Sequence, residues 1–264
     1  VFQEPSETPF DLRWRMFGVH VRVHPFFWLM SVILGWGVLG MGRGDMRTGL
    51  AYLALWVLCV FVSILIHELG HIFMGQLFGS RGHIVLHSFG GLAIGSNALP
   101  RRWQRFLVSF AGPLAQFVLL GLVLLNQFYL LPSAPQQWQH QFKTFLSFMF
   151  VINLFWPVLN LLPVWPLDGG QMAREVFGAV LRERGFAVTL MVSAALAAVL
   201  AVHCVMAEYG HPLFKILDEF GVGGIYLAVL FGYLAVNNFL ALQHQSARRR
   251  SYDYDDHNKF PWER

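Results

Sequence analysis

Long apolar stretches separated by short polar breaks run along most of this chain. Six of them approach or exceed the roughly 20 residues that cross a hydrocarbon core: about 25–42, 50–78, 106–131, 145–165, 187–207 and 222–242. Each predicts a membrane helix. Two segments break the pattern. Gly18-Val19-His20-Val21-Arg22-Val23-His24 alternates valine with polar residues, the period of a strand, just ahead of the first span. The run from Ile84 to Gly95 reads as two short strands around a Gly90-Gly91 turn, too short and too glycine-rich for a spanning helix. Unsatisfied backbone is costly in lipid, so such a hairpin must be buried in protein or line a wet cavity. It is expected to dip into the membrane from the cytosolic side and to pair with the 18–23 strand. From about Gln243 the chain turns polar and charged, a tail too short for a domain and expected to be flexible. The expected fold is an all-α polytopic membrane protein of about six transmembrane helices with a re-entrant β-hairpin and an N-terminal strand. Its parts are a segment 1–24, a helical domain 25–242 and a tail 243–264.

Composition agrees with the spans. Of 264 residues 56% are hydrophobic and 13% charged, whereas soluble domains carry about 25% charged residues. Cys59 and Cys204 both lie in apolar segments without metal-like spacing, and read as small buried hydrophobes rather than a disulfide framework. The chain opens on Val rather than Met, which suggests trimming at its start.

The net charge of +4 does not point to nucleic acid, because nothing interleaves basic and aromatic residues on a soluble surface. The cations sort by loop instead. Arg13, Arg15 and Arg22 precede the first span, and Arg81, Arg101, Arg102 and Arg105 lie between the second and third. Arg174, Arg182 and Arg184 lie between the fourth and fifth, and Arg248, Arg249, Arg250, Lys259 and Arg264 follow the sixth. The other loops hold only Arg43, Arg47, Lys143 and Lys215. By the positive-inside rule both termini and the 79–105 loop face the cytosol, as expected for the inner membrane of a bacterium.

Chemistry concentrates in His67-Glu68-Leu69-Gly70-His71, inside the second span. Two histidines four apart share a helical face, as zinc ligands must, and the glutamate one step on can reach a water without binding the metal. An ionisable residue at membrane depth needs a partner, a metal or water. A catalytic zinc takes three protein ligands and keeps one position open. Of the seven aspartates, Asp168 stands at the cytosolic end of the fourth span, and the arginine pattern sets His67 and His71 at a similar depth. Pro163 and Pro166 break the helix there, and Gly169-Gly170 lets the chain turn. The competing reading makes Asp168 the cap of a following helix.

Together these segments resemble the site-2 protease family of intramembrane zinc metalloproteases, peptidase family M50. His67–His71 matches the family's HExxH, Leu167-Asp168-Gly169 its LDG motif, and Asn160-Leu161-Leu162-Pro163 the run before it. Ala111-Gly112-Pro113 is similar to the glycine-proline element between them, so that the likeness covers roughly residues 50–186 in family order. His20-Val-Arg-Val-His24-Pro-Phe-Phe-Trp further resembles the six-span branch that processes a sporulation sigma factor precursor. Members of that branch often carry a cytosolic CBS domain after the last span.

The resemblance implies one zinc held by His67, His71 and Asp168, with Glu68 as the general base. Asn160 is the candidate donor to the oxyanion, since an amide at this depth is costly without a role. A helical substrate must unwind to be cut, and the hairpin edge at Phe89, Gly90 and Gly91 could capture it by strand addition. The implied partners are a membrane-bound protein substrate, the lipid bilayer and a regulatory membrane protein, with no nucleic acid. Two other classes compete. Three His pairs share HxxxH spacing, His20/His24, His67/His71 and His83/His87, which admits a membrane di-iron oxidoreductase; it leaves Glu68 and Asp168 without roles and lacks adjacent histidines. A metal transporter or inactive metal-binding scaffold is the third, but a scaffold has no use for Glu68.

Overall fold

The structure, a computed structural model, describes residues 4–258 except Phe89, Ala134, Phe220 and Gly221, with 247–258 as backbone alone. The chain divides into two units, 1–161 and 162–264.

The first unit opens on a four-stranded sheet in the order β1-β2-β3-β4. Strand β1 (Leu12–Met16) runs antiparallel to β2 (Val19–Val23), β2 runs parallel to β3 (His83–His87), and β3 antiparallel to β4 (Gly90–Ile94). The expected pairing between the N-terminal strand and the hairpin is present, with Val21 opposite Ile84 and Val23 opposite Leu86. Two details differ. The Gly90-Gly91 pair is not the turn: His87 pairs with Gly90 and Leu86 with Gly91, so both glycines begin β4. Sequence reading also leaves out β1, whose Arg13 and Arg15 were counted only as flanking charge.

Helix α1 (Pro25–Leu34) follows β2 directly, with His24 as its cap accepting from the Phe26 N–H at 3.2 Å and Pro25 at its first position. The first span is not one straight helix. It bends by 54° into a 3-10 segment, Trp36–Gly42, at Gly35, where the Trp56 ring occupies the place of a Cβ (2.2 Å). Helix α2 (Met46–Leu77) starts at Asp45, whose carboxylate accepts from the N–H groups of Arg47 and Thr48. Its 32 residues make a rod of about 48 Å, longer than a hydrocarbon core is thick, and the histidines sit towards its C-terminal end. Helices α3 (Arg102–Tyr129) and α4 (Gln136–Asn160) pack on it. The fourth span ends at Asn160 rather than near 165, the chain leaving the helix just ahead of Pro163. The core joins Ile64, Leu69 and Ile72 of α2 to Val21, Val23, Ile84 and Leu86 of the sheet and to Met149 and Ile152 of α4. It anchors the sheet beside the histidine-bearing part of α2.

The second unit contains α5 (Asp168–Leu181), a 3-10 turn at Arg182–Arg184, α6 (Gly185–Glu208), the short α7 (Lys215–Glu219) and α8 (Ile225–Asn258). The segment ahead of α5 is tied to both long helices. The Trp165 N–H donates to Ser193 Oγ on α6 at 2.8 Å, and Asn238 Nδ2 on α8 donates to the Trp165 carbonyl at 2.6 Å. Helix α8 continues past Gln243 to Asn258 as helical backbone, and the rest of the expected tail lies outside the described residues.

Five helical stretches among the described residues are long and apolar enough to cross a membrane, and the bent pair 25–42 would make a sixth. Helices α5 and α6 count there as one stretch, Asp168–Glu208. The chain is an integral membrane protein.

Candidate metal centre

The two histidines of α2 are oriented by the helix beside them. His67 Nδ1 lies 2.9 Å from Gln116 Oε1 and His71 Nδ1 lies 2.6 Å from the Val108 carbonyl, both on α3. The Gln116 amide is fixed the right way round because its Nε2 donates to the Ser63 carbonyl. Each Nδ1 therefore faces an acceptor and carries the ring proton. Both Nε2 atoms then present lone pairs, and these stand 3.1 Å apart. Two lone pairs that close call for a cation between them. Nitrogens at 2.0–2.1 Å from a tetrahedral zinc stand roughly 3.3 Å apart, so the spacing fits the ion. Both rings are buried, at 3% and 6% exposure.

Glycines make the approach possible. A Cβ on Gly112 would lie 2.3 Å from His71 Nε2 and 2.9 Å from His67 Nε2, and one on Gly70 would lie 2.5 Å from the Ala111 carbonyl oxygen. The Ala111-Gly112-Pro113 element thus lets α3 cross α2 against the imidazoles. Gln116 is the functional residue that sequence reading missed. Its signal was present, since a glutamine inside an apolar 28-residue helix and 0% exposed needs polar partners. Gln116→Leu keeps the bulk but removes the acceptor, and zinc affinity should fall by about 10–100-fold, read by competition with a chelating dye. Unchanged affinity would mean that His67 needs no orienting partner.

Glu68 is 4% exposed and lies against β4. A Cβ on Gly91 would sit 2.3 Å from Glu68 Cγ and 2.5 Å from Oε1, so only glycine lets the strand and the carboxylate share this space. Gly90 in turn faces the Trp156 ring of α4, at 3.2 Å from its Cβ position. The structure thus brings the expected base and two of the three expected substrate-contacting residues into one neighbourhood; Phe89 lies outside the described residues. Asn160 ends α4 half-buried, and its Nδ2 donates to the Trp156 carbonyl at 3.1 Å.

In the second unit Asp168 is the first residue of α5, with Leu167 at the cap position, so it is not the helix cap. It is 7% exposed, and a carboxylate in a first helical turn is favoured by the helix dipole. Gly170 explains the glycines that follow: its Cβ would lie 2.4 Å from Trp165 N, so the turn can fold back onto its own approach.

The other HxxxH pairs do not form a second centre. His83 and His87 stand at the two ends of β3, where four residues of strand span about 13 Å. His24 caps α1, and its ring meets that of His87 edge-on at 4.6 Å. A di-iron site finds no ligand set among these described histidines.

The profile of peptidase family M50 matches residues 127–203. Rip2 of Mycolicibacterium smegmatis is 31% identical over 183 residues, covering 56% of this chain and 69% of Rip2. The chain belongs to peptidase family M50. Other family members align with it over less of their length. Stage IV sporulation protein FB of Bacillus subtilis is 31% identical over 173 residues, 64% of this chain and 51% of the relative. A zinc metalloprotease of Methanocaldococcus jannaschii is 28% identical over 165 residues, 61% of this chain and 44% of the relative. The chain spans about half the length of these two curated relatives. In fold it is similar to the site-2 protease from Methanocaldococcus jannaschii, with a TM-score of 0.54 at 21% identity over 88% of this chain and 94% of that one. The aligned Methanocaldococcus jannaschii relative is named a zinc metalloprotease, and in the first unit buried His67 and His71 are residues that could contribute to holding a metal ion.

Proposed function

We propose that this chain is an intramembrane metalloprotease that hydrolyses a peptide bond in or beside a transmembrane segment of another protein, near the cytosolic face of a bacterial inner membrane. The observation that carries the reading is the pair of Nε2 lone pairs 3.1 Å apart on a membrane helix, with a buried glutamate on the next residue. His67, His71 and Asp168 are the proposed ligands. When bound, zinc supplies a Lewis acid for the peptide carbonyl and an activated water. Glu68 takes the proton of the attacking water and hands it to the leaving amine. The Asn160 amide is the proposed donor to the developing oxyanion, which requires it to exchange its bond to the Trp156 carbonyl for one to the substrate.

The substrate presents an extended segment to β4, the terminal strand of the sheet. Main-chain pairing there suits a protease whose target must first unwind, and Gly90 and Gly91 permit close backbone approach. The likeness to stage IV sporulation protein FB supports regulated intramembrane proteolysis, such as release of a transcription factor, with a membrane partner restraining the enzyme. The orientation with both termini cytosolic rests on the arginine pattern. The test is cleavage of single-span membrane proteins co-reconstituted with the purified chain in vesicles. Cleavage should disappear on adding a zinc chelator and return with zinc; cleavage indifferent to the chelator would refute the reading.

A further inference from the structure

An apolar recess of about 120 Å³ opens between α1, α2 and α4 in the first unit, and the chemistry proposed above makes no use of it. Phe27, Trp56, Val60, Ile64, Ile152 and Trp156 form its walls. Its two lining hydroxyls are already engaged: Ser31 Oγ donates to the Phe27 carbonyl at 2.8 Å, and Ser88 Oγ lies 2.8 Å from His87 Nδ1. The buried Trp56 Nε1 has no hydrogen-bond partner among the described residues, and a single donor is too little to hold a water. A trapped water needs two or more polar partners, and an apolar cavity of about 150 Å³ stays dry and takes benzene. A recess of this size and lining therefore suits one apolar group as large as an isobutyl or phenyl.

Its position decides which group. Val60, Ile64 and Glu68 follow one another at four-residue intervals along one face of α2, so the recess lies one helical turn, about 6 Å, from the proposed base. Side chains on one face of an extended chain repeat every ~6.6 Å, which is nearly the same step. Trp156 links the two places, since its ring both walls the recess and meets Gly90 at the start of β4. A segment laid along β4 with its scissile carbonyl near Glu68 brings a neighbouring side chain to the mouth of the recess. The volume suits one side chain and is too small for a lipid acyl chain.

We propose that this recess is a specificity subsite that receives one bulky apolar side chain, of the size of Leu, Met or Phe, within two residues of the scissile bond. The inference rests on the protease reading above and adds to it a substrate class. Occupied by Leu or Phe rather than Ala, the subsite should raise kcat/KM by at least ~10-fold, because one methylene in an apolar pocket already discriminates by 10–200-fold.

The probe is a mixture of unstructured synthetic peptides with randomised apolar positions, cut by the full chain in detergent and sequenced by mass spectrometry. Leu34 and Val151 line the recess but are 41% and 39% exposed, so Leu34→Trp and Val151→Trp narrow its mouth without disturbing the buried core. Zinc content of both variants reports that the fold is kept. The expected result is enrichment of large over small apolar residues at one position within two residues of the cut, falling at least several-fold in both variants. Chelator-sensitive cleavage without that enrichment, or with enrichment unchanged in both variants, overturns the subsite and leaves the protease reading standing. No chelator-sensitive cleavage of any peptide overturns both.

Discussion

Glu68→Gln should retain its zinc while losing peptide cleavage by about 10²–10⁴-fold, the usual contribution of a positioned acid–base group. The substitution changes one atom and no volume, so the close fit of Glu68 against Gly91 survives. Neither imidazole is altered, and their tautomers remain set by Gln116 and the Val108 carbonyl. What is lost is a site that can accept a proton from water and return it to the departing amine. The prediction is a separation of two readouts, metal content by elemental analysis and cleavage rate. Equal rates for variant and wild type would remove Glu68 from the chemistry. Loss of zinc together with activity would instead make it a structural support of the ligands.

Asp168→Ala should abolish zinc retention and cleavage together. Two neutral imidazoles are an incomplete set for a catalytic zinc, which takes three protein ligands, and the carboxylate also supplies negative charge in a poorly solvated site. The alternative role for Asp168, support of the α5 N-terminus, is small by comparison. A charge in the first helical turn contributes up to about 2 kcal/mol in a favourable, poorly exposed place. The segment leading into that turn is held independently at the Trp165 backbone by Ser193 and Asn238. The variant should therefore fold and stay in the membrane with its melting temperature little changed, yet come off a column without metal. Full zinc occupancy in Asp168→Ala would mean that another donor completes the set.

These outcomes depend on features of unequal visibility in the sequence. The spans were legible because lipid imposes length and composition together, and the valine alternation at 19–23 marked β2 because its other positions are polar. Strand β1 carried the same alternation, with Leu12, Trp14 and Met16 between Arg13 and Arg15, but arginines beside a membrane also read as topology signals and the charge obscured the period. Glycine pairs usually mark turns; here Glu68 occupies the space of a side chain at Gly91 and the Trp156 ring crowds that at Gly90, a tertiary reason that no local rule contains. The break of the first span at Gly35 has the same kind of cause, since it is the ring of Trp56 on another helix that needs the space. That His67 and His71 would meet on one face of α2, with Glu68 beside them, was legible from spacing alone. A glutamine in an apolar helix was visible too, but its pairing with His67 and that of the Val108 carbonyl with His71 were not, because these partners lie 37 to 49 residues away and only the crossing of α3 over α2 brings them there.

The central claim is that peptide hydrolysis takes place at membrane depth beside His67, Glu68 and His71. Its most direct test is to capture a membrane protein with the Glu68→Gln chain, co-reconstitute it with the active chain in vesicles, and map the cleaved bond by mass spectrometry. The account predicts one chelator-sensitive cut within, or a few residues from, a transmembrane segment on its cytosolic side. A cut confined to a soluble loop far from any span, or one that persists without zinc, would contradict it.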